Sequence, residues 1–281
     1  MRRARGVLGV IVLAATTWLA GCGSAELSGE VTEADLETLH AAEQVLMRDC
    51  MKRAGFDYTV AQLHPVPDDR QFPYVIDDVA WARAHGYGGD IQRQLSSVKE
   101  NEPNRRYFDG LSTARKSAYL NAANGQRAEG ITATSPEGTV YTRSDRSCTS
   151  KAEEALYGDA QAWFQARVTT DALVLMRHDE VKADPRFAEA VVPWSTCMTA
   201  AGHAFGSPQE LRAGLPPDAV ETALAVAEAT CAVDSGLAAR LRELDEHHRI
   251  ALEDRFRSDV DNQRQMRLEA LPRARDITAG S

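Results

Sequence analysis

Apolar positions recur at three- and four-residue intervals over most of this chain, the spacing that collects side chains on one face of a helix. From Thr32, a residue type suited to an N-cap, the stripe is Leu36, Leu39, Leu46 and Cys50, and Gly55 stops it. A second stripe, Phe187, Val191, Trp194 and Met198, has Cys197 at its edge and ends at Gly202. After Pro217, Asp218 and Glu221 imitate a capping box ahead of Val220, Leu224, Ala227, Cys231, Ala238 and Leu241. That helix is predicted to run past Phe256 to about Leu271, interrupted or bent near Gly236, with a frayed, flexible tail over 272–281. A further helix is predicted to begin at Cys148 and continue through RHDE at 177–180. Shorter ones are predicted from Asp78 to Gly86 and from Ser112 to Asn124-Gly125. Only ITATSPEGTVYT alternates with period two, and Pro136 and Gly138 suit the second and fourth places of a type I turn, which predicts one β-hairpin. The expected fold is mainly α with that single small β-hairpin.

The first residues break this pattern. Three arginines precede an apolar run from Val7 to Leu19, and small residues surround Cys22. Such an arrangement reads as a secretory signal peptide over 1–21. The run is too short for a spanning helix, which needs roughly 20 apolar residues. Leu19-Ala20-Gly21-Cys22 resembles the lipobox of bacterial lipoproteins, which implies a diacylglyceryl thioether on Cys22 and cleavage just before it. Two acyl chains, at about 0.8 kcal/mol per buried CH₂, suffice for stable attachment. The expectation is an exported protein held by lipid to the outer face of the cytoplasmic membrane, its bilayer contact being the acyl anchor on Cys22 and residues 22–31 a linker. Ordinary cleavage to a soluble secreted protein is the alternative.

Charge narrows the partners. The formal charge is −9, and removing Arg2, Arg3 and Arg5 with the signal peptide takes it to −12. An acidic body of this kind is repelled by phosphate backbones, so nucleic acid is excluded as a partner. The mature length is enough for one large core or two smaller ones.

Cysteine arithmetic adds architecture. With Cys22 assigned to lipid, Cys50, Cys148, Cys197 and Cys231 remain, an even number that allows three pairings. CMKRAG at 50–55 and CMTAAG at 197–202 share four of six letters, and an aromatic stands eight places after each cysteine, Tyr58 and Phe205. This repeat favours disulfides 50–148 and 197–231, with four reduced thiols disfavoured by export. It implies two related, disulfide-braced helical modules, 32–180 and 181–271. Between the paired cysteines lie 97 residues in the first and 33 in the second, so the first carries an insertion, about 60–146.

DPRFAEAVVPWSTCMTAAGHAFGSPQEL, with FPYVIDDVAWARAHGYG, the stretch 104–125 and SCTSKAEEALYGD, resembles uncharacterised lipoproteins of actinomycetes. Their recurrent elements are a W-x-x-C-M-x-x-x-G phrase, an HGYG phrase and a C-x-x-x-A-x-x-x-L-Y-G phrase. The chain departs from them at His203, where an aromatic is usual, and at Ser147, where glycine is frequent. The resemblance implies an envelope lipoprotein and supplies no activity.

Motifs for zinc hydrolysis, serine nucleophiles or phosphate loops are absent from the sequence, and no catalytic residue, metal ligand or cofactor is assigned. Glu243, Glu246, His247 and His248 read as a solvated face, and His178-Asp179-Glu180 as a helix end where histidine suits the negative dipole. More suggestive are Trp81, His85, Tyr87, Tyr107, Phe108 and Tyr119, gathered into 39 residues of a chain that is 6% aromatic. Aromatic faces beside polar groups suit a concave site, so Trp81, His85, Tyr87, Tyr107 and Tyr119 are the candidate binding residues. Core filling is the competing explanation. Three functions stand side by side: a non-enzymatic envelope protein binding a protein or cell-wall component, a ligand-capture protein for a glycan, peptide or small hydrophobe, and a cell-wall hydrolase. A pocket lined by Trp81 and Tyr87 would favour the second, and converging carboxylates or a serine–histidine pair the third.

Overall fold

A computed structural model describes residues 29–216 and 221–281; Cys22, Asp218 and Val220 lie outside them. The described residues form helices α1 (Glu33–Arg53), α2 (Val79–His85), α3 (Gly89–Glu100), α4 (Pro103–Asp109) and α5 (Thr113–Asn124), then strands β1 (Gly130–Thr134) and β2 (Val140–Ser144). After these come α6 (Cys148–Tyr157), α7 (Ala160–Ala183), α8 (Pro185–Ala200), α9 (Pro208–Ala213), α10 (Thr222–Asp234), α11 (Leu237–Arg255) and α12 (Arg257–Ala279). The fold is mainly α with one antiparallel hairpin, in which Gly130 pairs with Ser144 and Thr134 with Val140. None of the described helices is long and apolar enough to cross a membrane.

Local chemistry sets many of the boundaries. Thr32 and Asp35 form a reciprocal capping box at α1, and Asp78, Ser112, Ser147, Asp159, Asp184 and Ser207 each accept a first-turn N–H from their own helix. At the hairpin, Gly138 N–H donates to Ser135 O at 2.8 Å, closing the turn over Pro136.

The repeated cysteine phrase is a helix ending built twice. At the close of α1, Phe56 N–H donates to Met51 O, Gly55 N–H to Lys52 O and Ala54 N–H to Cys50 O; at the close of α8, His203 donates to Met198, Gly202 to Thr199 and Ala201 to Cys197. Gly55 and Gly202 sit at φ +82° and +90°, the left-handed turn that such an ending requires. Met51 and Met198 are fully buried, so the methionine is the plug and the cysteine beside it the staple. Cys50 is bonded to Cys148 at the start of α6, and Cys197 to Cys231 in α10, with Cα separations of 5.5 and 5.6 Å.

Four details differ from the sequence expectation. The helix from Cys148 breaks at Gly158, which adopts φ +89°, and Asp159 caps a new helix. The long C-terminal helix, interrupted at Gly236 as expected, breaks again at Phe256, and its described part starts at Thr222 with no side-chain cap from Glu221. Residues 272–279 are helix rather than a frayed tail: Ala270, Leu271 and Ala274 are buried with Leu39, Ala42, Leu156 and Trp163. The two cysteine modules also interlock. α12 packs on α1, α6 and α7, while α2 of the insertion packs on α10.

Candidate functional site

Residues 66–78 run as an irregular strap across the second half of the chain, and a cleft opens on each side of Gln71 and Phe72. The first, about 300 Å³, is walled by Phe72, Trp81, Tyr87, Ile91, Arg212 and Leu215, with Asp69, Arg70 and Gln92 toward solvent. α2 sets the tryptophan. Asp78 accepts from Trp81 N–H at 2.9 Å and pairs with Arg70 at 2.5 Å, while the indole Nε1 donates to Asp68 O at 3.0 Å. The indole lies 4.8 Å from the Phe72 ring and 5.2 Å from His85, centroid to centroid. Gly88, at φ +83°, lets the α2–α3 corner close on it: a Cβ there would stand 3.1 Å from Trp81 Cη2. Trp81 is 7% exposed and packs with Val66, Ile76, Ala82 and Ile91, so it is a core residue whose edge reaches the cleft. His85 Nδ1–H donates to Asp90 Oδ2, 2.8 Å away, and the imidazole does not line either cleft.

Beneath this cleft a polar trio centred on the buried Glu228 ties the strap to the helices. Arg212, on α9, donates through Nη1 to Phe72 O at 2.6 Å, and its Nη2 stands 3.5 Å from Glu228 Oε1. Glu228, on α10 and 0% exposed, accepts from Ile76 N–H at 3.1 Å. Burial pushes the Glu228 carboxyl up from its ordinary range, opposed by Arg212 and the Ile76 N–H. The Tyr87 hydroxyl faces Glu228, and burial first, then that carboxylate, raises the phenol. Tyr87 Oη, Arg212 Nη2 and Glu228 Oε2 are nonetheless buried without a hydrogen bond of regular geometry.

The second cleft, about 270 Å³, is bordered by Tyr74, Arg177, His178, Leu241, Arg242 and Asp245. Tyr74 donates to Asp245 Oδ1 at 2.6 Å, Arg177 pairs with Asp245 at 3.1 Å, and Arg242 pairs with Asp77 at 2.6 Å. His178 meets the Tyr74 ring edge-on at 5.5 Å, and burial lowers its pKa. This histidine sits inside α7, not at a helix end.

The aromatic group seen in the sequence is split by the fold. Trp81 and Tyr87 reach the first cleft, whereas Tyr107, Phe108 and Tyr119 pack with Phe56 beside the 50–148 disulfide. Tyr119 lies 5.3 Å from Phe56 and 5.4 Å from Phe108, so Tyr107 and Tyr119 fill a core and line neither cleft. The reason is that α4 and α5 turn back toward α1 and α6 while α2 goes to α10. Phe72, Arg212 and Glu228 escaped sequence reasoning; their meeting spans up to 156 positions, and only HGYG at 85–88 marked the place. The acidic histidine cluster also separates. Glu243 pairs with Arg240 at 2.8 Å, and His248 lies between Glu180 and Asp184 at 3.1 and 3.0 Å. Among the described residues no three His, Cys, Asp or Glu side chains converge to hold a metal ion.

A second buried carboxylate group lies away from both clefts. Glu153 of α6, 0% exposed, is bonded by Arg143 from β2 and by Arg167 from α7 at 2.8 Å. Arg143 lies over Phe164, 4.1 Å from its ring centre. Glu43 of α1 is pushed up to about 7, chiefly by burial and then by Glu153. No family model matches the chain, and no curated protein and no solved structure matches it either, so the geometry carries the functional argument.

Proposed function

We propose that the protein is an exported, lipid-anchored binding protein that captures a small or chain-like ligand in the cleft walled by Phe72, Trp81, Tyr87 and Arg212. The observation that carries this reading is the cleft's make-up: aromatic and aliphatic walls together with the half-buried Arg212 and the exposed amides of Gln71 and Gln92. Binding sites combine apolar walls with a few convergent polar groups, and at about 300 Å³ this cleft meets the lower end of their size range. Export and anchoring are supported by the N-terminal arginines, the apolar run and the Leu-Ala-Gly-Cys segment at 19–22, and by the phrases shared with actinomycete lipoproteins. A capture role is favoured over hydrolysis because the carboxylates bordering the second cleft, Asp77, Asp245 and Glu246, each hold an arginine, and in the first cleft Glu228 is buried while Asp69 stands at the solvent edge.

Photo-cross-linking in intact cells tests the reading. With benzoylphenylalanine in place of exposed Gln92 at the mouth of the cleft, irradiation is expected to give a defined adduct, and the same residue in place of exposed Lys151 on α6 is expected to give none. Equal labelling at both places, or none at Gln92, sinks the assignment.

A further inference from the structure

We infer that the protein self-associates through β2: two copies pair their β2 strands edge to edge about a two-fold axis at Tyr141, joining the two hairpins into one four-stranded antiparallel sheet. The inference is independent of the clefts and their ligand, and only the strength of the contact draws on the lipid anchor proposed above.

The hairpin has two edges, and the chain closes one of them. Ser135 N–H donates to Thr139 O and Asp145 N–H to Glu129 O. By the alternation of an antiparallel ladder, the hydrogen-bonded pairs between them are Ile131 with Arg143 and Ala133 with Tyr141. The backbone of Thr132 and Thr134 therefore faces out from β1, and that of Val140 and Thr142 faces out from β2. α7 covers the first edge. Gln161 accepts from Thr132 N–H at 3.0 Å and donates to Thr132 O at 2.5 Å, and Gln165 does the same for Thr134 at 2.9 and 3.0 Å. No described residue treats β2 in this way. Val140, Tyr141 and Thr142 are exposed, the first two by 64% and 48%, and an uncovered apolar edge is a template for another strand.

The open stretch is short and self-complementary. It stops at Ser144, which is 4% exposed and whose carbonyl already accepts from the Ser147 and Ser150 hydroxyls at 3.2 and 2.6 Å. With an antiparallel second copy centred on Tyr141, Val140 of each copy lies opposite Thr142 of the other. The outward N–H and C=O of both residues are then paired in both copies. Tyr141 meets Tyr141 of the second copy as a non-hydrogen-bonded pair, where opposed side chains come closest. α7 leaves room for this, because its glutamines reach the far edge of β1 and so place the helix on the side away from β2. Exposed Glu137 comes opposite Asp145 of the second copy, a like-charge cost at the rim that salt screens.

A second copy suits this edge better than a foreign extended peptide. A peptide would have to be ordered into a strand as it binds, and the entropy of fixing each residue offsets the net gain from its hydrogen bonds. β2 of a second copy is already a strand. The contact is well below the roughly 800 Å² a side of a stable complex, so it is expected to be weak in dilute solution and populated where anchors gather copies in one bilayer.

Oxidation of intact cells that express the full chain, followed by non-reducing electrophoresis, tests this. Tyr141→Cys is expected to give a disulfide-linked dimer, since directly opposed residues hold their Cβ atoms about 4.5 to 5.5 Å apart. Thr134→Cys, equally exposed but on the edge that Gln165 covers, is expected to give none. Adding Thr142→Pro to Tyr141→Cys removes an outward N–H without touching the ladder to β1; it is expected to abolish the dimer while the chain melts within a few degrees of the parent. No dimer from Tyr141→Cys, equal dimer from Thr134→Cys, or a dimer that survives Thr142→Pro overturns the inference. Linkage of Tyr141→Cys to a different protein overturns the second copy as occupant. Fractionation of the same cells keeps the anchor apart: a membrane-bound chain without dimer overturns the pairing alone, and a dimer of unanchored chains overturns the anchor alone.

Discussion

Trp81 shows why a residue's position in a cleft and its contribution to stability must be tested apart. Its indole is bonded to Asp68 O and packed on Phe72, Ile76 and Ile91. Trp81→Ala is expected to cost about 3 to 5 kcal/mol, read by chemical denaturation; a loss under 1 kcal/mol would mean that the ring is not packed as described. Loss of binding in that variant therefore says little about contact with ligand, and exposed Gln92 at the mouth of the cleft is the better probe. Glu43 makes a second prediction at this scale. Its carboxyl is raised from the ordinary 4.5 to about 7 in the folded chain. Below pH 4.5 both states hold the proton. Between 4.5 and 7 the folded state keeps a proton that the unfolded chain has released, so stability falls as pH rises, by about 1.4 kcal/mol per unit. Above 7 the loss is complete, on the order of 3 kcal/mol. Glu43→Gln is expected to match the parent near pH 5 and exceed its melting temperature at pH 8. Parallel curves for the two proteins would refute the raised carboxyl.

At the scale of elements, what could be read in the sequence was what neighbouring residues decide. Thr32, Asp78 and Ser112 cap the helices expected of them, Gly86 and Gly125 end two of those helices, and Pro136 with Gly138 makes the hairpin turn. Long-range placement was legible only where a repeat gave a second copy to compare, as with the two cysteine endings. The Arg212–Glu228 tie to Phe72 O and Ile76 N had no such copy, since backbone groups carry no sequence signal. Faces built from alanine were missed for another reason: Ala42, Ala225, Ala229, Ala232, Ala270 and Ala274 are all fully buried, yet alanine barely registers as apolar periodicity. The disulfides give this scale its prediction. Their separations, 98 and 34 residues, correspond to about 4.7 and 3.8 kcal/mol of loop-closure entropy. Paired Cys→Ala replacement of Cys50 and Cys148 is expected to lower the midpoint of denaturation further than replacement of Cys197 and Cys231. The reverse order would show that local packing around Met198 and Trp194, not chain entropy, sets the cost.

For the whole molecule, the decisive feature is that the chain's last helix returns to its first. α12 closes a layer with α1, α6 and α7, so the second cysteine module completes the core of the first, and the strap of the first is held by α9 and α10 of the second. The first cleft therefore sits on a seam whose two sides come from distant parts of one chain. Removing residues 272–281 tests this closure. Arg273 donates twice to Leu156 O, at 3.1 and 2.8 Å, Ala274 is fully buried, Ile277 packs on the same cluster, and Arg275 reaches Asp35 at 3.4 Å. The charged bond to a carbonyl and the lost apolar burial together amount to on the order of 3 kcal/mol. In a protein of this size that is expected to lower the melting temperature by roughly 6 to 12 °C. Because residues 272–281 line neither cleft, the truncated protein at low temperature is expected to bind like the parent until it begins to melt. A truncation that leaves the melting temperature unchanged would return the segment to the frayed tail its polar sequence suggests, and with it would go the account of α12 as the element that locks the two modules together.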